Sequence, residues 1–362
     1  MSKYIICVYA ICKNEEQFVD RWMASVGEAD MVVVLDTGST DRSVEKLRAA
    51  GAIVHQATIK PWRFDAARNL AMDKIPEGAD ICVSNDMDEV FVPGWRQKLE
   101  KAWSQECTQA QYLFTWDYKP DGSPNKQYTM KKIHRRHGFR WVNPVHEVLK
   151  YNGPDVEKLV CVDDLVLNHY PDKSKPRGQY LPLLELSASE NPQDSSTVFW
   201  LGREYLWNNK YDLCIETLRR HLKLPSANCG IERCASMRCI AKAYAKMQDV
   251  KEAKLWLIRA ITEFPFVREP FLELARIGYS EKDWSLTFEM VRMGLKITER
   301  YDNYLVESEC WGYVLYDLGA ISAYHLGLYK ESRKYAAQAL EYEPNNKRLK
   351  ENLELIEKCL PH

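Results

Sequence analysis

Ile81-Cys82-Val83-Ser84-Asn85-Asp86-Met87-Asp88-Glu89 is a short apolar run that passes straight into three acids. The apolar part predicts a buried strand, and the acids fall where that strand ends. In an open α/β sheet, ligands bind outside the carboxyl ends of the strands. Asp86 and Asp88 are two residues apart, so along an extended chain both point the same way. Such a pair can hold a hard divalent cation through oxygen. The same acids also read as a charged turn capping a helix near Pro93, and this stretch alone does not choose.

Upstream, Tyr4 to Ile11 is a continuous apolar run ending in Cys12-Lys13-Asn14-Glu15-Glu16. It predicts a central strand covered on both faces. Phe18, Val19, Trp22, Met23 and Val26 follow at helical spacing. A second buried strand, Met31 to Leu35, ends in Asp36-Thr37-Gly38-Ser39-Thr40-Asp41. Gly38 permits a tight turn, and Ser39 or Thr40 is expected to cap the next helix, which stops at Gly51. Ala52 to Val54 makes a third strand. Strand, helix, strand, helix, strand argues for a parallel sheet with right-handed crossovers. A glycine fingerprint for dinucleotides and a P-loop lysine are both missing. Trp62 to Met72 predicts a helix carrying Arg68 and Asn69, with Arg68 either solvated or forked onto a phosphate.

Composition narrows the class. The 362 residues allow two domains, and 46% hydrophobic with 28% charged residues is ordinary for a globular chain. A net charge of −1 does not advertise nucleic acid or an anionic membrane surface as a partner, and neither is expected. No apolar stretch is long enough to cross a bilayer, and the start is not that of a signal peptide. The eleven cysteines lie mostly in apolar runs without a CxxC, so reduced thiols and a cytoplasmic location are expected.

Asn14-Glu15-Glu16, Asp36 to Asp41, Ala67-Arg68-Asn69 and Asp86-Met87-Asp88-Glu89, in this order, resemble the nucleotide-binding half of a family 2 glycosyltransferase with the GT-A fold. The resemblance covers roughly residues 4 to 170, with Thr37 where the family usually shows a second acid. It implies that Ala10, Asn14, Glu15 and Asp36 surround the nucleoside. Arg68 would contact the diphosphate. Asp86 and Asp88 would be the metal-holding pair, with Mn²⁺ or Mg²⁺ against that diphosphate and Asp86 also at the donor. His169, in Val166-Leu167-Asn168-His169-Tyr170-Pro171, matches in order a histidine that completes the metal site.

Two middle segments bear on the acceptor side. Tyr112 to Trp116 predicts a strand, and Asp117 to Lys126 a Pro/Gly/Asn-rich loop. The basic run Lys131 to His137 reads first as a solvated strand edge, and second as a holder of phosphates or an acidic acceptor. In Trp141 to Leu149, a His-Glu pair lies in an apolar segment and needs partners if buried. The resemblance places a general base here. Glu147 ranks ahead of His146 for that role, with Asp117 an outside candidate.

From Ser195 the pattern becomes purely helical. Tyr205, Tyr244, Tyr279 and Tyr324 recur at about a tetratricopeptide period, each hairpin following a small-residue and aromatic cluster. Trp207, Trp256, Trp284 and Trp311 are expected in the repeat core. Such arrays bind extended peptides or self-associate, or act only as scaffold.

The expected architecture is an α/β GT-A domain at 1–171, a linker at 172–194 and a tetratricopeptide-like repeat domain at 195–362. The expected activity is inverting, metal-dependent hexosyl transfer from a nucleoside diphosphate, UDP foremost. The acceptor is favoured as peptide or protein, with a glycan acceptor or an inactive repeat adaptor as alternatives. A nucleotidyltransferase is disfavoured because Cys12-Lys13-Asn14-Glu15 lacks a glycine.

Overall fold

A computed structural model describes residues 3–172, 178, 180–301 and 303–360. The chain divides into two compact units, Met1–Ser187 and Ala188–His362. The division falls inside the stretch expected to be a linker. Part of that stretch is helix α5, Tyr180–Glu190, while residues 173–177 and 179 lie outside the described residues, as do Met1 and Ser2.

The first unit alternates strands and helices as their periodicity requires. They are β1 (Ile6–Cys12), α1 (Glu16–Val26), β2 (Met31–Asp36), α2 (Ser43–Ala49), β3 (Ile53–Gln56), α3 (Phe64–Asp73) and β4 (Ile81–Ser84). Then come β5 (Glu89–Phe91), α4 (Trp95–Ala102), β6 (Gln109–Tyr118), β7 (Pro124–Arg135), β8 (Phe139–Val142), β9 (Val148–Tyr151) and β10 (Leu159–His169). One sheet runs β3-β2-β1-β4-β7-β6-β10-β5, and β8 with β9 forms a separate hairpin. The first four strands are parallel, whereas β7 is antiparallel to both neighbours.

Strand β1 shows why the sheet is covered on both faces. Ile6, Val8 and Ala10 join Trp22, Leu47, Trp95 and Leu99 in one core. Cys7 and Tyr9, pointing the other way, join Met72, Phe139, Trp141 and Leu149.

Three expectations are corrected here. The basic run on β7 is no solvated edge, because β7 lies between β4 and β6. The loop expected over 117–126 is shorter, since β6 runs to Tyr118 and β7 begins at Pro124 around Gly122 at φ 81°. Neither Ser39 nor Thr40 caps α2, which starts at Ser43; both bond Asn14 instead.

The second unit is built of helical hairpins. They are α6 (Ser195–Trp207) with α7 (Tyr211–His221), α8 (Gly230–Lys246) with α9 (Val250–Glu263) and α10 (Glu269–Ser280) with α11 (Trp284–Leu295). Then α12 (Val314–His325) pairs with α13 (Tyr329–Tyr342), and α14 (Lys347–Glu357) follows. Every hairpin turns the same way. Asn209, Gln248, Lys282 and Gly327 are all left-handed, at φ 57°, 66°, 59° and 74°. The next amide returns to the helix: Lys210 to Tyr205, Asp249 to Tyr244, Asp283 to Gly278 and Leu328 to Ala323. This is the helix-ending motif that satisfies orphan carbonyls, here used once per repeat.

The turns also set the true register. Tyr205 and Tyr244 are equivalent, but the matching residues in the next hairpins are Gly278 and Ala323, so Tyr279 and Tyr324 fall one residue out. Tyr205 is accordingly 8% exposed and Tyr279 41%. Gly202 and Gly278 allow close helix approach; a Cβ there would meet Leu218 at 2.4 Å and Thr287 at 2.8 Å. Trp256 is core, as expected, but Trp207 is 56% exposed and stacks on Arg203. The segment before α12 lies along the first helices: Tyr304 stacks on Trp200, and Glu307 pairs with Arg238 at 2.5 Å.

A buried polar chain joins the two halves of the first unit. Trp141 Nε1 donates to the Tyr9 hydroxyl at 2.9 Å, and Tyr9 lies 2.9 Å from His134 Nε2. His134 Nδ1 faces the Arg135 carbonyl at 2.7 Å, so it carries the hydrogen and Nε2 accepts from Tyr9. Burial pushes the His134 pKa down to about 4. The unfolded chain therefore takes up a proton, below about pH 6.5, that the folded chain refuses. Stability should fall as pH drops from about 6.5 to 4, by roughly 3 kcal/mol from this group. Urea unfolding of the wild-type protein and His134→Gln at pH 7 and pH 4.5 checks it: the acid-induced loss should be smaller in the variant.

Candidate active site

Strand β4 is buried along its whole length and delivers the acids to the sheet's carboxyl edge. Past its end the chain turns back at once, with the Glu89 amide on the Asp86 carbonyl at 2.9 Å. Glu89 Oε2 in return accepts the Asp86 amide at 2.9 Å. The capping reading of these acids fails, because Glu28 takes the Gly94 and Arg96 amides at the start of α4.

Arg68, 6% exposed on α3, is the hub. Nη1 and Nη2 fork onto Asp86 at 2.7 and 3.1 Å, and Nε donates to Glu147 at 2.5 Å. Its guanidinium packs over Trp141 at 5.1 Å. Asn69 holds that ring's strand by bonding both the amide and the carbonyl of Trp141, at 2.9 and 2.8 Å. Burial opposes the Arg68 charge, but Asp86 and Glu147 outweigh it and hold the pKa well above the ordinary value. Burial likewise opposes ionisation of Asp86, and Arg68 with Lys132 outweighs it, so its pKa is depressed.

The Glu147 loop owes its path to two left-handed non-glycine residues, Asn143 at φ 79° and His146 at φ 49°. The His146 ring lies 6.0 Å from that of Tyr180. Asp117 stays in the β6–β7 hairpin, accepting from Asn125 at 3.2 Å.

Asp88 faces a different partner. The Tyr170 amide donates to its carbonyl at 2.8 Å, which brings His169 Nε2 to 3.4 Å from Oδ2. His169 Nδ1 faces the Trp116 carbonyl at 3.2 Å. Burial alone would lower the His169 pKa, but Asp88 outweighs it and the value is raised. A carbonyl-oriented imidazole opposite a carboxylate fits a divalent cation, which would replace the proton between them. Asp86 faces Arg68 and Lys132 instead. Among the described residues no three His, Cys, Asp or Glu side chains converge as a cation cage.

The remaining expected residues meet at the ends of β1 and β2. Ala10 is fully buried in β1. Asn14, left-handed at φ 55°, accepts the Thr40 amide at 2.7 Å, and the Glu15 amide donates to Ser43 at 2.7 Å. Asp36, fully buried, accepts from the Ser39 amide at 3.2 Å and Gln56 at 3.3 Å. Thr37 donates to the Cys12 carbonyl at 3.1 Å.

Sequence reasoning missed Lys132 and Glu89. Lys132 Nζ lies 3.0 Å from Asp86 and 2.9 Å from Glu89. The signal was Ile133 inside a charged run, an apolar interruption that a solvated edge does not need.

An open α/β sheet with acids at its carboxyl edge, one of them clamped by a buried arginine, places the candidate site where ligands of such sheets bind. The family model described as Glycosyl transferase family 2 matches residues 7–163, so this segment belongs to that family and the chain carries a glycosyltransferase domain. Among solved structures, the chain is similar to MamA at 18% identity and TM-score 0.38, covering 48% of this chain and 96% of that one. It is similar to YrrB, a TPR protein, at 13% identity and TM-score 0.39, covering 48% and 82%. A third similarity is to the APC/C hetero-tetramer Cut9-Hcn1, at 11% identity and TM-score 0.38; it covers 50% of this chain and only 33% of that one. No described helix is long and apolar enough to cross a membrane.

Removing Arg68 leaves Glu147 without its guanidinium and Asp86 with Lys132 alone, so Arg68→Met should destabilise the protein by about 3 kcal/mol in chemical unfolding. Arg68→Lys should recover only part of this, because one ammonium cannot reproduce the fork.

Proposed function

We propose that the protein is an inverting glycosyltransferase that moves a hexose from a nucleoside diphosphate, UDP foremost, to a peptide or protein acceptor. The observation that carries this reading is Arg68, which ties the strand-end acid Asp86 to Glu147 across one guanidinium. The donor nucleoside would lie by Ala10, Asn14, Glu15 and Asp36, where the ends of β1 and β2 adjoin. Its diphosphate would reach the Arg68 side of the edge.

Asp88 and His169 would hold Mn²⁺ or Mg²⁺, whose chemistry is to neutralise charge on the departing diphosphate. The Asp88 carboxylate and the diphosphate's own oxygens would suit these ions. Glu147, as general base, would take the acceptor's proton while Arg68 fixes its carboxylate. The peptide or protein preference rests on the helical repeats, and a reducing, cytoplasmic setting on eleven cysteines without a disulfide.

Nucleotide-sugars should raise the melting temperature in the presence of MnCl₂; protection by none of them would sink the transferase reading. Asp88→Ala should abolish the metal-dependent part of that protection, whereas unchanged protection would remove Asp88 from the metal site. Glu147→Gln should bind donor normally in calorimetry yet lose transfer by about a hundredfold or more. Full activity in that variant would place the base elsewhere. Peptide and glycan acceptor libraries then separate the two acceptor classes.

A further inference from the structure

Lys132 is a buried ammonium between two acids, and it comes from a strand that carries none of the expected site residues. It lies on the same side of β7 as His134, two residues on, and so faces the α3 side of the sheet. Its side chain is 15% exposed, that of Glu89 4% and that of Asp86 27%. Glu89 is also fixed by the Asp86 amide and lies 3.5 Å from Asn85 Nδ2, while Asn85 takes a 2.5 Å bond from Trp22. The acid that Lys132 bridges is therefore anchored to the core, and Asp86 is the member nearer solvent.

Asp86 and Glu89 are like charges at close range, which repel unless a cation lies between them. Lys132 supplies that cation. It also shares Asp86 Oδ2 with Arg68 Nη2, which lies 3.1 Å away. With Lys132 present, Asp86 stays in the plane that the guanidinium fork requires. Without it, Glu89 would push Asp86 away, and Arg68 would lose its two-bond partner while keeping Glu147.

We propose that Lys132 is a positioning residue for the donor: it fixes Asp86 against Arg68 and acts on the diphosphate through the guanidinium that this carboxylate orients. This rests on the reading of the first unit as a nucleotide-sugar site. A lysine with only a structural role would change stability and leave donor affinity alone. A lysine that itself touched the diphosphate would act independently of Asp86.

A double-mutant cycle separates these cases. UDP binding with MnCl₂ is measured by calorimetry for the wild-type protein, Lys132→Met, Asp86→Asn and the double variant, beside their unfolding midpoints. Lys132→Met should weaken UDP by about tenfold or more. The double variant should bind no more weakly than Asp86→Asn alone, and Lys132→Arg should regain part of the loss. Wild-type affinity in folded Lys132→Met overturns the proposal, and so do effects that multiply in the double variant. If Lys132→Met does not fold, the cycle of Lys132→Arg with Asp86→Asn gives the same two outcomes. A wild-type protein that binds neither UDP nor any other nucleoside diphosphate loses the donor reading and the proposal with it; an overturned cycle in a protein that binds UDP loses the proposal alone.

Discussion

The Arg68 guanidinium holds the catalytic unit's edge together. It is buried, forked onto Asp86 and bonded to Glu147, residues 18 and 79 positions further along the chain. Ion pairs out of water are stabilising only when geometry is good and the remaining hydrogen-bond sites are filled. Here the remaining demands are met in sequence: Trp141 under the guanidinium, Lys132 on the second oxygen of Asp86, Glu89 on Lys132. Arg68 and Lys132 outweigh burial and keep the Asp86 carboxylate charged.

The same economy of contacts explains the split between Asp86 and Asp88. Two acids two residues apart look equivalent along an extended strand. The strand ends at Ser84, however, and the turn closed by Glu89 separates them. Asp86 goes to the cations on the α3 side. Asp88 goes to His169, brought there by the antiparallel pairing of β5 with β10. A pattern that suggests one bidentate metal site thus resolves into an arginine anchor and a carboxylate–histidine pair.

In the second unit the repeating object is the turn rather than the tyrosine. The left-handed residue after each first helix, and the amide that returns to that helix, recur in four hairpins. Glycine fills the position once; asparagine, glutamine and lysine fill it otherwise, at some conformational cost. Spacing by aromatic residues finds the first two hairpins and slips in the next two, because packing there is set by Gly278 and Ala323.

Local pattern made much of the protein legible. Continuous apolar runs with polar ends marked β1, β2 and β4, since burial on both faces leaves no alternation to hide them. Helical spacing marked α1, α3 and the hairpin array. The order of acids, asparagine and arginine marked the site's cast. The sequence by itself thus determined which strands would be central and which residues would lie at their carboxyl ends, because these follow from neighbours within a few residues. Tertiary structure alone decided the partners. Arg68 and Glu147 are 79 residues apart, and Lys132 and Asp86 46. Those pairings depend on β7 entering the sheet beside β4 and on a left-handed turn at His146. Both are choices of sheet order and backbone path, which carry no short-range signal. The strand-end acids at Ile81–Glu89 are visible in the sequence; only the fold assigned each of them its partner.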